Sequence, residues 1–526
     1  MTSRHLVPGL GRARAYAVRL SRAVAPFVFL SPLLAAGCAV GPDYRPPQQP
    51  VPAEWANGSP ATTGALALSR WWQRLDDPLL DTLVEKAVQG NLDVASAKAK
   101  IREARASYRQ AGGALLPTLS GSGSYTRSKS ASGTTSSLVG QSDVANQFQL
   151  GFDASWELDL FGANRRAVEA AGYGLAATEE DLRDTLLTLV GDVAAYYVEA
   201  RGYQARLDLA RRTAAAQRET ADLTRVKFDT GALAATDAAS AEGQAASTEA
   251  QIQALESSYA EAVHRLGILL GREPGALTQV LAGAGTIPKA PTALPAGIPA
   301  DILSARPDVR AAERRLAQYT AKIGEAEAAR YPSVSLTGSV TTTAAQAGNL
   351  AKGSAIGWSF GPTLNVPLFQ GGQLEAAVDV AVAQRDQYAI TLRSTVLTAL
   401  EDVENALVAL AKERARNERL AVSATAYRRA ADLALALYKV GNTSFLEVLE
   451  AQRSQYSAED SLVQSDAAIA SDYIALNKAL GGGWDGAIDA DPPAATPSNI
   501  ALASGSAMPT TPVSATAPAT KTEGGR

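Results

Sequence analysis

Residues Phe148–Gly162, "FQLGFDASWELDLFG", alternate without a break between apolar and polar or small side chains. A period of two places one set on each face of a β-strand, so this stretch predicts a two-faced strand of about thirteen residues. Most of the remaining chain is alanine-rich and has the spacing of long helices. The role of an amphipathic strand in a strongly helical protein therefore decides the fold.

A second strand of the same kind is predicted within Ile356–Gly372, "IGWSFGPTLNVPLFQGG". Each of the two is preceded by another candidate strand. The four strands are expected at about 117–130, 146–162, 332–344 and 354–370. Matching stretches in the two halves lie 210 to 215 residues apart. The sequence therefore predicts a tandem duplication, with helix, strand, strand, long helix and second helix in each half.

The predicted helices are unusually long. Apolar residues recur at alternating steps of three and four within 182–207 and 392–410, the spacing of a coiled-coil seam. No proline interrupts Thr118–Glu273 or Leu368–Asp491. If Arg165–Thr230 is one helix, it spans roughly 100 Å at ~1.5 Å per residue. A rod of that length does not fit inside a compact domain.

A glycine-containing turn ends each long helix. Gly231 and Gly441 suit the left-handed conformation that terminates a helix. Thr236 or Asp237 is expected to cap the first returning helix, and Ser444 the second. Each half therefore predicts a helical hairpin whose tip lies far from its strands.

The N-terminal residues predict export. Residues 1–37 carry five arginines, no acid and a short apolar run, as in a secretory signal. Without them the formal net charge of −4 becomes about −9, which argues against a nucleic-acid partner. The only cysteine, Cys38, ends "LLAAGC", which resembles a bacterial lipobox except for Ala35, where leucine is commoner. Lipid attachment at Cys38, by acyl chains such as palmitate, is predicted; the alternative is an ordinary cut that leaves a free thiol.

Composition and the repeat together predict six parts. These are a signal peptide at 1–37, an extended segment at 38–75, a first repeat at 76–270, a linker at 271–300, a second repeat at 301–484 and a disordered Ala/Pro/Thr-rich tail at 485–526.

The strands are long enough to cross an outer membrane, for which about 9–11 residues suffice. Interfacial aromatic residues are expected at Trp156, Phe161, Trp358 and Phe369. The opposite faces are polar and suit a water-filled lumen. They carry Gln149, Asp153, Glu157, Asp159, Ser359, Thr363 and Asn365. A soluble core is the commoner use of such strands, but no complementary core segment is evident.

Four strands cannot close a barrel, and open sheet edges are not tolerated in hydrocarbon. Bacterial barrels have at least about eight strands, so the barrel must be shared between chains. Two chains give a tightly filled barrel of eight strands and three give twelve. Three is preferred because a duct needs a lumen.

Four motifs carry a family resemblance. They are "CAVGPDYRPP" at 38–47, the segment from Trp71 that begins "WWQRLDDPLL", "ARPDVRAAERRLAQYTAKIGEAEAARYPSVSLTGS" from Ala305, and "YKVGNTSFLEVLEAQRS" from Tyr438. The chain thereby resembles the TolC-like outer membrane factors, in the lipoprotein (NodT/OprM-type) branch. The resemblance covers almost the whole mature chain.

The resemblance implies a mainly α fold with a membrane β-barrel: a homotrimer with a twelve-stranded barrel that continues into a twelve-helix periplasmic tunnel. It implies an exit duct for small molecules such as drugs, lipid-anchored in the outer membrane of a Gram-negative bacterium. Its partners would be a periplasmic adaptor, an inner-membrane pump of the RND type and outer-membrane lipid. An exit duct for secreted proteins and a non-conducting, periplasm-spanning tether are the alternatives.

The resemblance also implies site residues near the tips. Matching "FLEVLE" onto the family motif places the constricting rings at Leu446 and Glu450, the second a glutamate where aspartate is found in the family. The alternative is that Leu446 packs in a seam and Glu450 is a solvated charge. Adaptor-docking residues are expected at the tips, although simple turn and cap chemistry would explain each of them singly. They are Gly231, Asp237, Gly441, Ser444 and Phe445.

An enzymatic role is not expected. The mature sequence has one histidine, His264, within an ordinary helical stretch, and no second cysteine. It contains no zinc-binding HExxH motif, no P-loop and no dinucleotide fingerprint. No cofactor and no metal site are predicted.

Overall fold

A computed structural model describes residues 39–48, 50–52, 55–56, 69–129, 144–292 and 306–483. The predicted signal peptide, Cys38 and the predicted C-terminal tail lie outside these described residues. Among the helices of the described ranges, none combines the length and the hydropathy that a membrane span requires.

The chain is mainly helical, and one order of elements occurs twice. After α1 (Pro78–Gly90), the first set is α2 (Leu92–Gly113), β1 (Thr118–Lys129), β2 (Val144–Leu158), α3 (Ala163–Asp229) and α4 (Ala235–Leu269). After the short α5 (Thr278–Leu281), the second set is α6 (Pro307–Ala328), β3 (Ser333–Ala344), β4 (Ile356–Asn365), α7 (Gln373–Lys439) and α8 (Phe445–Ala479). Helices α3 and α7 have 67 residues each, so each is about 100 Å long.

The four strands form one antiparallel sheet in the order β1-β2-β3-β4. The β2–β3 pairing joins the two halves of the chain, from Phe148 opposite Ala344 to Leu158 opposite Val334. The helices next to the sheet follow the same order, because α2 packs on α3, α3 on α6, and α6 on α7. The sheet and the helices therefore form one continuous wall, with α2 and β1 at one edge and α7 and β4 at the other.

Two strands end earlier than the sequence predicted. β2 stops at Leu158 because the Asp159 carboxylate accepts the backbone N–H groups of Asn164 and Arg165, at 3.2 and 2.9 Å. The expectation that Asp159 faces a lumen is therefore wrong, since it caps the first turn of α3. β4 stops at Asn365, where its pairing with Ser333, the first residue of β3, ends.

Within the described residues, the largest hydrophobic core packs α1 on α3 and also includes side chains of α2, α4, α7 and α8. Trp71 and Trp72 are fully buried in it, within a short 3-10 helix at Trp71–Leu75, and the Trp71 ring lies 6.2 Å from that of Tyr473. The extended conformation predicted through residue 75 is therefore wrong at its end, because two tryptophans there have a core to enter.

The predicted coiled-coil seams are confirmed. Leu182, Val193 and Tyr197 on α3 are fully buried, as are Val403 and Leu410 on α7. The hairpins α3/α4 and α7/α8 are joined by packing of α3 on α8. The apolar steps of three and four thus bury one side of each long helix.

Candidate functional site

The sheet has one apolar face, because the strand register aligns the large side chains. Phe152 on β2 lies opposite Gly121 on β1 and Val340 on β3, and Val340 lies opposite Trp358 on β4. The apolar face consists of Leu119, Tyr125, Phe148, Leu150, Phe152, Trp156, Val334, Leu336, Val340, Ile356, Trp358, Phe360 and Leu364. Phe152 and Trp358 are 64% and 78% exposed. Contiguous exposed apolar area of this kind marks a surface made for lipid or a partner.

The opposite face of the sheet is polar. Asp153 lies between Ser120 and Ser339, and the Ser339 hydroxyl is 2.8 Å from that of Ser359. The polar face consists of Ser120, Ser122, Ser124, Gln149, Asp153, Glu157, Ser335, Thr337, Ser339, Thr341, Ser359, Thr363 and Asn365. Apart from Asp159, every residue that the sequence assigned to the polar side lies here.

The segment Val40–Tyr44, which we call the strap, crosses the junction between β2 and α3. The Val40 N–H donates to the Phe161 carbonyl at 3.1 Å. Arg166, which is buried, donates to the Val40 carbonyl at 3.2 Å and to the Asp43 carboxylate at 2.8 Å. One guanidinium thus holds both the backbone and a side chain of the strap.

Close backbone approaches complete the strap's seat. Gly41 has φ +88°, and a Cβ there would overlap the α-carbon of Gly324 on α6. Gly162 has φ +85°, and a Cβ there would lie 2.8 Å from the α-carbon of Ala39. Only glycine fits at either position without displacing the backbone.

Beyond the seat, Tyr44 continues the strap onto α6. Its hydroxyl donates to the Glu313 carboxylate at 3.1 Å, and its ring lies 5.9 Å from that of Tyr173. Burial, together with the nearby Glu313 charge, raises the pKa of Tyr44, so it stays a neutral donor.

Both tips turn at the predicted glycines, Gly231 with φ +74° and Gly441 with φ +80°. Ser444 caps α8 by accepting the Glu447 N–H at 3.4 Å, which confirms that cap. The cap predicted at Thr236 or Asp237 is wrong, because the N-cap residue of α4 is Ala234 and Asp237 lies in the first turn. The N-cap falls three residues after the glycine at both tips, whether or not its side chain can accept a hydrogen bond.

A small core joins the two tips. Phe445 is 3% exposed and its ring lies 5.8 Å from that of Tyr438. The Lys227 ammonium lies 4.0 Å from the centre of the Tyr438 ring and donates to the Tyr438 carbonyl at 3.3 Å. Burial and the nearby Asp237 raise the pKa of Tyr438. Phe445 is therefore a packing residue, and its side chain is not on the outer surface of the tip.

Leu446 and Glu450 lie one turn apart on an exposed side of α8, and Leu446 is 61% exposed. The Arg453 guanidinium lies 3.4 Å from the Glu450 carboxylate and also donates to the Gln244 side chain at 2.6 Å. Within a single chain Leu446 thus does not pack in a seam, and Glu450 has a cation beside it on the same helix.

Sequence reasoning missed the polar contacts between the hairpins. Arg206 on α3 binds the Asp460 carboxylate on α8 through two hydrogen bonds, at 2.7 and 3.1 Å. The residues are 254 positions apart, and neither stands in a distinctive motif. His264, in contrast, lies exposed on α4, as an ordinary helical residue would.

A charged cleft lies between α3, α7 and α8. It is lined by Asp184, Asp472, Lys478, Asp402 and Arg306, among others. Burial and the neighbouring Asp308 raise the pKa of Asp184, and burial together with Glu413 raises that of Asp472. These carboxyl groups therefore hold their protons to higher pH than exposed ones do.

Comparison with known proteins identifies a family whose members resemble this chain over most of its length. The family model described as "Outer membrane efflux protein" matches residues 83–272 and 298–482. Nodulation protein T of Rhizobium leguminosarum bv. trifolii is 37% identical over 468 residues, which is 89% of this chain and 98% of that protein. The probable efflux pump outer membrane protein TtgC of Pseudomonas putida is 33% identical over 477 residues, which is 88% of this chain and 95% of that protein.

Solved structures give the same result. The outer-membrane channel OprN has a TM-score of 0.79 and 35% identity, covering 85% of this chain and all of that one. The structure of CusC, described as undergoing transmembrane channel formation, has a TM-score of 0.73 and 29% identity, covering 85% of this chain and all of that one.

Proposed function

This chain belongs to the outer membrane efflux protein family, and we propose that it is the outer-membrane exit duct of a tripartite efflux system. It would conduct small molecules from an inner-membrane pump, through a periplasmic adaptor, to the cell exterior. The observation that carries the proposal is the strand register, which aligns every large apolar side chain of the strands on one face and leaves the other face to small and polar side chains. Such a sheet suits lipid outside and water inside.

The dimensions of the apolar face support a membrane location. From Phe148 to Trp156 it extends about 26 Å along β2, at about 3.3 Å per residue. The lipid-facing band of an outer-membrane barrel is about 25 Å tall. The Trp156 indole N–H donates to the Leu115 carbonyl at 3.0 Å, at the end nearest the helices, as an interfacial tryptophan would.

A homotrimer would close the barrel. Within the described residues, β1 and β4 each pair on one side only, and such open edges are not tolerated in hydrocarbon. Three copies would supply twelve strands, and α3, α4, α7 and α8 of each copy would continue the wall as a twelve-helix tunnel through the periplasm. Tandem duplication, with repeats at 76–270 and 301–484, accounts for the repeated element order.

The strap supports lipid attachment at Cys38. Residue 39 is held against Gly162, where the sheet ends and α3 begins. A lipid on the preceding residue would therefore be tethered at the periplasmic surface of the outer membrane. Phe161 stacks on Tyr331 at 4.7 Å at the same junction. Acyl chains on Cys38 would therefore enter the bilayer beside the barrel without unfolding any part of the strap.

The tips would form the gate. Leu446 and Glu450, exposed on one side of α8, would make rings of three around the tunnel axis, and the carboxylate ring would repel itself and attract cations. An adaptor, itself bound to an inner-membrane pump of the RND type, would dock on the tip residues Gly231, Asp237, Gly441 and Ser444. Phe445 would support that surface from within.

Native mass and conductance test the proposal together. We expect detergent-extracted protein to have the mass of three chains, and to keep it after Cys38→Ser, because acylation anchors rather than assembles. In planar bilayers we expect cation conductance that falls a few-fold in Glu450→Gln, because the neutral ring no longer attracts cations, with Glu418→Gln as an exposed control outside the tips. A monomer that is soluble without detergent would contradict the duct and favour a periplasmic tether.

A further inference from the structure

Two cations lie on the apolar face of the sheet at the end of β1. Arg127 lies opposite Asn146, and Lys129 opposite Val144. Both have the same parity along β1 as Leu119 and Tyr125, so their side chains leave the sheet on the apolar face. Both residues are exposed.

Their position along the strand is defined by Tyr125. β1 starts directly after α2, so Lys129 is at the end of the sheet farthest from the helices. The Tyr125 ring lies 4.7 Å from that of Phe148, and its hydroxyl donates to Asn146 at 3.2 Å, in the direction of that far end. Tyr125 is thus the last aromatic residue of this hairpin's apolar face, and Arg127 and Lys129 follow about 7 and 13 Å beyond it.

The charge of this far end is cationic, against the negative charge of the whole chain. The carboxylates of β2, Asp153 and Glu157, lie in its helix-proximal half and on the polar face. Residues 333–366 contain no acid, and their turn carries Lys352. Between residues 117 and 146 the sequence has one acid, Asp143. Within the described ranges no carboxylate forms an ion pair with Arg127 or Lys129.

A cation on a lipid-facing surface is costly in hydrocarbon and costs little at the headgroup level. Phosphate is the anion found there, and a guanidinium binds it through two parallel hydrogen bonds, while an ammonium adds a point charge. We propose that Arg127 and Lys129 form a binding site for the phosphate groups of outer-leaflet lipids. The site rests on the proposed membrane barrel, and a trimer carries three copies of it. Binding of lipid phosphates at this site fixes how deep the barrel sits in the membrane, at the level of the outer headgroups.

The test uses full-length protein in detergent, with bis-phosphorylated lipid A as the probe and its dephosphorylated form as the comparison. Retention of each lipid is measured by native mass spectrometry. We expect wild type to retain the phosphorylated form preferentially, and Arg127→Gln/Lys129→Gln to bind it about ten-fold more weakly or worse. Arg211→Gln/Arg218→Gln removes the same charge from α3 and should retain the wild-type preference.

Bilayer conductance of the same samples separates the two proposals. A conducting wild type without preference for the phosphorylated lipid overturns the lipid site and leaves the duct intact, as does equal binding by the two double variants. Competition by free inorganic phosphate at equal concentration would show that the cations recognise phosphate without a lipid, which also overturns the site. A protein that neither inserts nor conducts overturns the duct, and the lipid site with it.

Discussion

At the scale of single residues, Gly41 shows how much the strap depends on one absent side chain. An alanine there would have to adopt φ +88° and overlap Gly324. We expect Gly41→Ala to weaken docking of the strap by at least about 1–2 kcal/mol, the cost of a left-handed conformation alone. The measurement is the rate of chymotryptic cleavage after Tyr44 in the native protein, which should rise several-fold.

Gly112→Ala is the matched control, because a Cβ at Gly112 would meet nothing within 4 Å and φ there is helical. It should leave cleavage after Tyr44 unchanged and slightly stabilise α2. Equal cleavage rates in wild type and Gly41→Ala would show that the strap is not held at Gly324.

Asp184 provides a pH dependence. Burial raises its pKa in the folded protein above the value of 3.8 that it has when exposed. Between the pKa of the unfolded state and the higher pKa of the folded state, the folded state binds more protons than the unfolded state. The free energy of unfolding therefore falls as the pH rises through this range, and it stays lowered at neutral pH. Asp184→Asn should therefore raise the Tm at pH 7 to 8, and the gain should shrink as pH falls toward 4.

Thermal denaturation across this pH range checks the expectation. Asp222→Asn changes an exposed carboxylate on the same helix and should shift the Tm little at any pH. A gain in Asp184→Asn that does not change with pH would mean that the carboxyl's titration is not its cause.

The role of Arg166 in holding the strap could not be predicted from the sequence. Its role requires knowing that α3 begins beside Val40 and that α6 passes behind Gly41, and neither contact is visible in a local pattern. Cys38, in contrast, is predicted from its position after a signal-like segment. Local signals identify local chemistry, whereas long-range partners need the fold.

At the scale of the strand, adjacent positions should differ sharply. Phe152 stands at the middle of the apolar band and Asp153 on the polar face. In a lipid-embedded barrel, an arginine at the bilayer midplane costs about 2–4 kcal/mol, while a lumen position tolerates it. Phe152→Arg should therefore lower the yield of folded trimer in the membrane, and Asp153→Arg should not.

Heat-modifiable migration of membrane extracts on gels measures that yield, and conductance of the surviving Asp153→Arg channels reports the lumen. Equal loss of folded protein in the two variants would contradict the assignment of the faces, because the substitutions differ by only one position in the strand.

The alternation of apolar and polar residues predicted that the four strands exist and which of their faces is apolar. It did not predict where β2 and β4 end, because hydrogen bonds and pairing outside the pattern set those ends. β2 ended where Asp159 accepts backbone hydrogen bonds from α3, and β4 ended opposite Ser333, where its partner strand β3 begins. At the first tip, the turn geometry placed the N-cap at Ala234, although Thr236 and Asp237 are better caps. Turn geometry took precedence over side-chain preference there.

At the scale of the whole molecule, the sequence predicted long helices because two properties coincide, an absence of proline and a sustained seam. It did not predict how the hairpins are held together. Arg206 with Asp460, and Lys227 with Tyr438, join α3 to the second hairpin across more than two hundred residues of sequence. Such pairs have no periodicity of their own, so only the packed structure discloses them.

The two hairpins also match in length, since α3 and α7 have 67 residues each and α4 and α8 have 35 each. The length of the helical part can therefore change in evolution only if both hairpins gain or lose the same number of residues. A heptad removed from one hairpin alone would leave its tip about 10 Å out of step with the other and separate Lys227 from Tyr438. Removing or adding heptads in all four helices together would instead give ducts of different length, each matched to the distance between the two membranes of a different cell envelope.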